Sequence, residues 1–298
     1  MNKNNNTYIK FSSLVCLLLS VFSVSVLANE AGDIMHKVDR LQREISNKTL
    51  SLSSLSTCDF AVKNKQVICT EEPRVKVIES VSRQLGTQLK DSQSISIILE
   101  PVREKGIGML TYSYDEPEKD TESWLYLSAL GKVKRMASGS GEDQEPVSLF
   151  GSEFTTEDME TGKTDEYNYE VLQEGEYQER NVWVIEAKPK PVRLRKTYYS
   201  RLLFWIDKEK LIPLKVQTYD RYDKLYKRIM FQDITKIADH WLSKDMTIYN
   251  MKISRLSRMK TEKIALNVPV SDEFLTQRSL IDFAFREQNL EGLRLLLE

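Results

Sequence analysis

The spacing of hydrophobic residues changes along the chain from the period of a helix to the period of a β-strand. Residues 33–45 carry apolar side chains three and four positions apart, which predicts a helix with one apolar face. From residue 75 onward, short runs alternate apolar and polar residues and are rich in β-branched and aromatic types, which predicts strands. The intervening residues 49–57 are polar and serine-rich, and no element is predicted there.

The alternating runs are separated by turn residues at hairpin spacing. In the first half of the chain, the predicted strands are centred on residues 75–77, 95–99, 110–114 and 124–126. After a polar stretch at 139–165, they resume at 182–187, 201–207, 212–219, 225–234, 247–252 and 263–267. About ten strands with few helices between them predict one large antiparallel sheet, and a sheet of that size must curl.

One predicted strand is apolar on both of its faces. Phe204 and Ile206 lie on one side of this strand, and Leu203 and Trp205 lie on the other. Burial in a two-sheet sandwich accounts for this pattern. A curved sheet with a helix inside and a second apolar cavity also accounts for it, so the residues alone leave both alternatives open.

The first residues of the chain have the pattern of a secretory signal peptide. Lys3 and Lys10 precede an apolar run at residues 14–27, and the run ends in Val26-Leu27-Ala28. We therefore expect cleavage after Ala28. A retained membrane anchor is the alternative, but about 14 apolar residues are fewer than the ~20 that span a bilayer.

Charge and cysteine usage narrow the classes of function. Removal of residues 1–28 takes away two lysines and no acids, which changes the formal charge from −1 to −3. This balance argues against binding to nucleic acid, which needs a concentrated basic face.

Two cysteines remain, Cys58 and Cys69, and an isolated pair in an exported protein predicts a disulfide.

Motifs of catalysis are absent from the sequence. The chain has only two histidines, His36 and His240, and neither lies in a recognisable motif. A glycine-rich phosphate loop, a nucleophile elbow and a metal-binding loop are all missing, so we expect no enzyme activity, no cofactor and no metal. An exported hydrolase is a third alternative for function, but it lacks a nucleophile–base pair.

The stretch FGSEFTTEDM (150–159) has a serine and acids that could suggest an active site, yet it is explained locally as the start of a helix. Thr155 and Asp158 have the spacing of a capping box, in which each side chain bonds to the other's backbone N–H. We expect Phe154 and Met159 to pack against each other as a hydrophobic staple, and Ser152 to belong to the turn.

Four motifs resemble the outer-membrane lipoprotein-sorting (LolA-like) family, in the order of that family, across residues 75–280. They are FGSEFTTEDM, ESWLYLSALGKVKRM (122–136), LLFWIDKEKLIPLKVQTYD (202–220) and VSDEFLTQRSL (270–280). Ser128 departs from the pattern, because the family commonly has a proline there. The resemblance implies a mainly β fold with some helix (α+β), an unclosed or half β-barrel of the LolA/LolB type whose concave side is covered by helices.

The residue patterns and the resemblance together set the expected organisation of the chain, and the cysteine loop and the tail after Leu280 are not part of the family's pattern. Residues 1–28 are the signal peptide, and residues 29–74 form a helix and a cysteine loop that pack on the barrel. Residues 75–280 form the half-barrel, and residues 281–298 form a C-terminal helical tail.

The resemblance also implies a periplasmic carrier or chaperone for a lipid or a lipidated ligand, working with an inner-membrane transporter. An acyl chain needs an apolar container because each methylene exposed to water costs about 0.8 kcal/mol. We expect the cavity to be lined by Leu110, Tyr112, Trp124, Tyr126, Phe204, Ile206, Met230 and Tyr249. For each of these residues, ordinary core packing is the alternative.

A basic run is the remaining feature. Its members are Lys188, Lys190, Arg193, Arg195, Lys196 and Arg201. We expect it to contact lipid headgroups or an acidic partner, and a solvated loop is the alternative. This run supports a second hypothesis for function, a non-catalytic accessory subunit of a resistance-nodulation-division type transporter.

Overall fold

The computed structural model of the protein describes residues 19–136 and 146–297. Most of the predicted signal peptide, residues 1–18, lies outside the described residues. The four α-helices in the described part are α1 (Leu19–Ile45), α2 (Pro191–Leu194), α3 (Gln277–Ile281) and α4 (Phe283–Arg294). Short 3-10 helices are Val102–Glu104, Glu157–Met159 and Thr164–Glu166.

Fourteen strands form within the same described residues. The first seven are β1 (Thr49–Lys63), β2 (Gln66–Cys69), β3 (Arg74–Leu85), β4 (Asp91–Glu100), β5 (Gly108–Ser113), β6 (Glu122–Leu127) and β7 (Lys132–Met136). The second seven are β8 (Tyr167–Tyr177), β9 (Arg180–Pro189), β10 (Tyr199–Asp207), β11 (Pro213–Asp220), β12 (Leu225–Ile237), β13 (His240–Asn250) and β14 (Arg255–Ala265).

The strands make one antiparallel sheet that does not close into a barrel. Its order is β7-β6-β5-β4-β3-β1-β14-β13-β12-β11-β10-β9-β8, and β2 pairs only with β1. The chain starts at the centre with β1, runs outward to β7, crosses to the far edge at β8, and returns to the centre at β14. This arrangement confirms the predicted mainly β, unclosed fold with few helices.

The serine-rich segment 49–57, which carried no predicted element, is the central strand of the sheet. Leu50 pairs with Val81 on β3 and with Ala265 on β14. Hydroxyls of this strand are satisfied across the sheet, since the Thr57 and Ser257 oxygens are 2.7 Å apart. The domain boundary expected after residue 74 lies at the first residue of β3, a strand that pairs with β1 in the same sheet.

The predicted disulfide is present. Cys58 on β1 is bonded to Cys69 on β2, and the bond joins the two strands of a hairpin that extends beyond the rest of the sheet. Strand β8 was not predicted, because this edge strand is rich in glutamate and has most of its side chains in solvent.

Helix α1 and residues 146–166, the described part of the segment between β7 and β8, cover one face of the sheet, which we name the α1 face. We call residues 146–166 the crossing segment. The predicted apolar stripe of the helix is confirmed, since Met35 and Val38 pack against Ile185 and Ile206. In the crossing segment, Phe154 is fully buried in the cluster at the middle of the sheet.

The opposite side of the sheet, the C-terminal face, is covered by α3 and α4. Leu280, Leu290 and Leu293 join a core cluster with Val81 and Leu110. Ile78, three positions before Val81, belongs to the cluster on the α1 face, and an odd spacing on a strand puts two side chains on opposite faces. Helices therefore cover both faces, and the expected C-terminal tail completes a core.

The strand with two apolar faces fits the alternative of a single sheet covered by a helix on one side, but its other side carries a small packed cluster. Ile206 packs under α1 on one side of β10. On the other side, Trp205 joins a small cluster with Val182 and Leu214, and the Lys215 ammonium lies 3.4 Å from its ring centroid. Both sides of this strand are thus packed within a single covered sheet.

Candidate functional site

A cleft of about 600 Å3 lies on the C-terminal face between α3, α4 and the ends of β3, β4 and β6. It is bounded by apolar and charged side chains and by Gly106 and Ser128 in the connections at the ends of β4 and β6. Its volume falls in the range of about 300–1,000 Å3 that small-molecule sites occupy.

The walls of the cleft are largely apolar. Ile97, Leu99, Tyr126 and Leu280 come from the sheet and α3. At the outer wall, Ile281 and Phe283 are 55% and 63% exposed, although both are large apolar side chains. An apolar ligand in the cleft would cover surface that water contacts in its absence.

Helix α3 approaches the floor of the cleft closely because β5 begins with a glycine. A Cβ built on Gly108 would lie 2.5 Å from Ile97 Cδ1 and 2.9 Å from Leu280 Cδ2. Real side chains do not tolerate such contacts, so a larger residue at this position would require the ends of the Ile97 and Leu280 side chains, or α3 itself, to shift.

An ion-pair network fixes α4 at the side of the cleft. Arg294 donates from Nε and Nη2 to the two carboxylate oxygens of Glu79 at 2.7 Å each, and from Nη1 to Glu287 at 2.6 Å. Hydrogen bonds to Glu79 and Glu287 hold the pKa of the Arg294 guanidinium above its ordinary value. This bidentate geometry connects the last helix to the central part of the sheet.

Arg286 is a buried cation in the cleft. Its side chain is 5% exposed, and its Nη1 donates to the carbonyl oxygens of Ser279 and Leu280 at 2.9 and 3.3 Å. The Nε has no hydrogen-bond partner among the described residues, and the Glu287 carboxylate is 3.9 Å away from it. Burial lowers the pKa of this guanidinium. A buried donor without a partner is costly, so this group favours an incoming acceptor.

Four of the eight residues expected to line a cavity lie on the C-terminal face near α3. Leu110 is fully buried in the core cluster. The Tyr112 hydroxyl donates to Leu275 O at 2.6 Å, and its ring packs edge-to-face on Trp124. Among the eight, Tyr126 lines the cleft.

The other four are far from this cleft. Phe204 and Ile206 are on the α1 face, where Ile206 is fully buried against α1. Met230 and Tyr249 follow residues of the α1-face cluster by one position, so they point to the C-terminal face from distant strands. The eight residues therefore do not surround one cavity, because the register of the sheet divides them between two separately covered faces.

The basic run is largely paired with acids. Arg193 is buried, and its Nη2 lies 3.1 Å from Glu157 and 2.8 Å from Glu160, with Glu166 at 3.7 Å from Nη1. Burial raises the pKa of the Glu157 carboxyl, although Arg193 opposes this shift. This cluster ties the crossing segment to α2 and borders a small polar pocket.

The remaining members of the run also have acidic or polar partners. Lys188 pairs with Glu186 at 2.7 Å, Lys196 with Asp120 at 3.0 Å, Arg195 with Glu118 at 3.5 Å and Arg201 with Asp223 at 2.6 Å; Lys190 donates to Asp165 O at 2.8 Å. Sequence reasoning missed these pairs because most of the partners lie in other segments of the chain.

The FGSEFTTEDM segment adopts the predicted capping geometry. The Thr155 N–H donates to Asp158 at 3.0 Å, and the Asp158 N–H donates to Thr155 Oγ1 at 3.3 Å. The element that follows is one 3-10 turn, and the predicted staple is wrong, because Phe154 is buried in the core whereas Met159 is exposed. Ser152 does belong to the turn, since its Oγ donates to Leu149 O.

The histidines have different surroundings. His36 Nδ1 lies 2.8 Å from Thr164 Oγ1, which connects α1 to the crossing segment. His240 begins β13 at the edge of a turn.

The described residues contain no group of three or more metal-ligating side chains. No helix in the described part of the chain is both long and apolar enough to span a membrane.

Three solved structures share the fold of this chain over most of its length. A DUF1329 family protein from Desulfovibrio piger superposes with a TM-score of 0.73 at 24% identity, covering 85% of this chain and 99% of that chain. A putative outer membrane lipoprotein-sorting protein domain from Vibrio parahaemolyticus gives 0.72 at 21%, with coverage of 85% and 99%. A LolA superfamily protein from Nitrosomonas europaea gives 0.60 at 15%, with 83% and 97%. These likenesses establish the fold.

At the level of sequence, no curated protein matches the chain. A family model described as "uncharacterized protein" matches residues 90–282, which is 193 of the 298 residues. The matched region begins at the start of β4 and ends just before α4. The chain therefore belongs to this family of uncharacterized proteins, and its unclosed antiparallel sheet has the fold of the three solved structures.

Proposed function

We propose that the protein is a non-catalytic carrier whose cleft on the C-terminal face holds the apolar chain of a lipid or a lipidated ligand. The observation that carries the proposal is the combination of an apolar wall and a buried cation in one cleft of about 600 Å3. Ile281 and Phe283 supply exposed apolar surface at its opening, and Arg286 supplies a donor for an anionic head.

The physical argument is one of solvation. An acyl chain that leaves a membrane exposes methylenes to water at about 0.8 kcal/mol each, and an apolar cleft removes that cost. The protein exposes apolar side chains of its own at the same place, so binding relieves unfavourable hydration on both partners. The fold supports the proposal, because it is shared with a domain that carries the name putative outer membrane lipoprotein-sorting protein.

The test is binding of a fluorescent fatty acid to the purified chain. We expect the double variant Ile281→Asp/Phe283→Asp to weaken binding by more than tenfold, because each change places a charge against the acyl chain. Both side chains are exposed, so the melting temperature should change little. Leu295→Asp is the matched control, since Leu295 is exposed on the same C-terminal segment outside the cleft.

Failure of the wild-type chain to bind the probe, or equal binding by the double variant, would contradict the carrier proposal. The accessory-subunit hypothesis would then take its place, with a membrane transporter as the partner.

The proposal also includes a cellular compartment, the periplasm, and a partner protein. Export to the periplasm is supported by the N-terminal pattern of residues 1–28 and by the disulfide between Cys58 and Cys69, which forms in oxidising compartments. A carrier must receive its ligand from a membrane, so an inner-membrane transporter is the partner that we expect. N-terminal sequencing of exported protein, with Asn29 as the expected first residue, tests the first part.

A further inference from the structure

The turns at one rim of the sheet expose large apolar side chains that the proposed carrier function does not use. Because the strands alternate in direction, the turns fall on two rims. The hairpin rim, named for the β1–β2 hairpin, has the turns at residues 64–65, 101–107, 128–131, 190–198, 221–224 and 251–254. The opposite rim has those at residues 86–90, 114–121, 178–179, 208–212 and 238–239.

The exposed apolar residues at turns belong to the hairpin rim. We define the hairpin patch as Val62, Val67, Ile68, Tyr222, Met251 and Ile253, all of them exposed, with Val62 at 66% and Tyr222 at 83%. In the described part of the chain, the turns of the opposite rim carry no large apolar side chain that is exposed to this degree. Such a one-sided distribution marks a surface that is covered in use.

The hairpin at the centre of the patch is held rigidly. Val62 pairs with Val67 across the two strands, and Asn64 and Lys65 both have positive φ, as a tight two-residue turn requires. The disulfide closes the base of the same hairpin. The apolar side chains are therefore presented in a fixed geometry.

The patch is continuous across three neighbouring turns. The Phe60 N–H at the base of the hairpin donates to Ser254 O at 2.8 Å, which places the turn at 251–254 beside it. The Met251 N–H donates to Tyr226 O at 2.8 Å. This bond places the start of β12, and with it the turn at 221–224, beside the turn at 251–254.

Charge complements the apolar residues. Segments 62–68, 221–224 and 251–254 together carry five basic residues and one acid, whereas the turns of the opposite rim carry four basic residues and seven acids. Lys63, Lys65 and Lys252 are exposed, and none has an ion-pair partner among the described residues. The acids of the hairpin, Glu71 and Glu72, lie behind its tip.

We infer that the hairpin patch docks the protein on an anionic lipid bilayer. The tip inserts Val62, Val67 and Ile68 at the level of the headgroups, and the flanking lysines contact lipid phosphates. Tyr222 suits this interface, since its ring is apolar and its hydroxyl is polar. The cleft opens at the same rim, because Lys105, Gly106 and Ser128 belong both to its lining and to rim turns. Docking would bring the mouth of the cleft to the membrane.

The experiment is co-sedimentation of the exported chain with vesicles of phosphatidylcholine alone or mixed with phosphatidylglycerol. The apolar variant is Val62→Thr/Val67→Thr/Ile68→Thr, which keeps β-branched side chains on the hairpin. The charge variant is Lys63→Gln/Lys65→Gln/Lys252→Gln. Leu172→Thr is the control, an exposed apolar residue on edge strand β8 away from the rim.

We expect wild type and the control to bind the phosphatidylglycerol vesicles and to bind phosphatidylcholine weakly. The apolar variant should bind about tenfold or more weakly, because the three side chains that insert into the bilayer lose apolar contact with the lipid. The charge variant should lose about 100-fold at low salt, with a smaller loss at high salt. Melting temperatures should match wild type.

Three results would overturn the inference. These are no binding of wild type to phosphatidylglycerol vesicles, full binding by the apolar variant, and an equal loss by Leu172→Thr. In the first case the patch would belong to a protein partner. Binding of the fatty-acid probe is measured in the absence of vesicles, so it tests the carrier proposal separately.

Discussion

The ammonium of Lys227 lies 2.6 Å from the carboxylate of Asp158, and both side chains are 1% exposed. Lys227 also donates to Glu153 O at 2.9 Å, so one lysine on β12 fixes both ends of the turn that carries Asp158. The Tyr199 hydroxyl donates to the other carboxylate oxygen at 2.5 Å. A buried pair thus attaches the crossing segment to the sheet.

Lys227→Met should destabilise the protein by about 3–5 kcal/mol, because it leaves a buried carboxylate without its counter-ion. Lys236→Met is the control on the same strand, since Lys236 is half exposed and 4.0 Å from Asp239, and it should cost under about 1 kcal/mol. Urea unfolding measures both. Equal effects of the two changes would show that the buried pair has no special weight.

Arg193 and Arg195 of the basic run are close in sequence but differ in burial, because Arg193 is buried and Arg195 is exposed. Arg193→Met should cost about 3–5 kcal/mol, because it removes the common partner of Glu157, Glu160 and Glu166. Arg195→Met should change stability by less than about 1 kcal/mol, since that side chain is exposed. Thermal melting distinguishes them, and similar melting points for the two variants would contradict the cluster.

The raised pKa of Glu157 predicts a specific pH dependence. Because burial raises its folded-state pKa above its unfolded value, the native state binds the proton more tightly, and this contribution to stability is lost as the pH rises through the folded pKa. The difference in unfolding free energy between Glu157→Gln and wild type should therefore be more favourable to the variant at pH 7 than at pH 4. Urea titrations at both pH values measure this difference, with exposed Glu170→Gln as the control. A relative loss at pH 7 would contradict the burial argument.

Gly108→Ala tests the close approach of α3 to the sheet. The added methyl would collide with Ile97 and Leu280, and overpacking of this kind costs about 1–3 kcal/mol. Gly175→Ala is the matched control, another strand glycine with no atom of the described residues within 4 Å of the added methyl, and should be neutral or stabilising. Calorimetry gives both values. A neutral Gly108→Ala would mean that the ends of the Ile97 and Leu280 side chains move aside without loss of packing.

Arg286 should determine whether the cleft prefers a ligand with an anionic head group to one with an uncharged head group. Arg286→Met is expected to weaken binding of a fatty acid by about 10- to 100-fold, which is the size of one charge-assisted hydrogen bond, and to leave the matching fatty alcohol unaffected. Arg278→Met is the control, since Arg278 is exposed on the same segment and outside the cleft lining. Competition against a fluorescent probe gives both affinities. Equal losses for acid and alcohol would assign Arg286 to packing of α3 alone.

Several elements could be predicted because their signals are local. The helix ending at Ile45 follows from a three-and-four spacing, the Thr155–Asp158 capping geometry from residues three apart, and the disulfide from an isolated cysteine pair. The unclosed sheet was predicted from alternating runs together with the family resemblance. Strand β1 was missed because its serines are polar by type, and only the neighbouring strands, with hydroxyls such as Ser257, make them suitable for a buried position.

The candidate site was predicted only in part. Tyr126 was expected at a cavity and does line the cleft, whereas Arg286, Glu79 and Phe283 were not anticipated. Alternation indicates which residues share a face of a strand, but it does not say which element covers that face. The division of Phe204 and Tyr126 between two covered faces could therefore not be read from their own segments.

The sequence by itself determined the strand and helix periods, the cysteine pair and the acidic and basic residues that become partners. The tertiary structure alone decided the partners themselves. Lys227 and Asp158 are 69 positions apart, and Arg294 and Glu79 are 215 apart, so no local pattern marks either pair. The reason is that burial and ion pairing depend on distances in space, which are set only when distant strands and helices pack together.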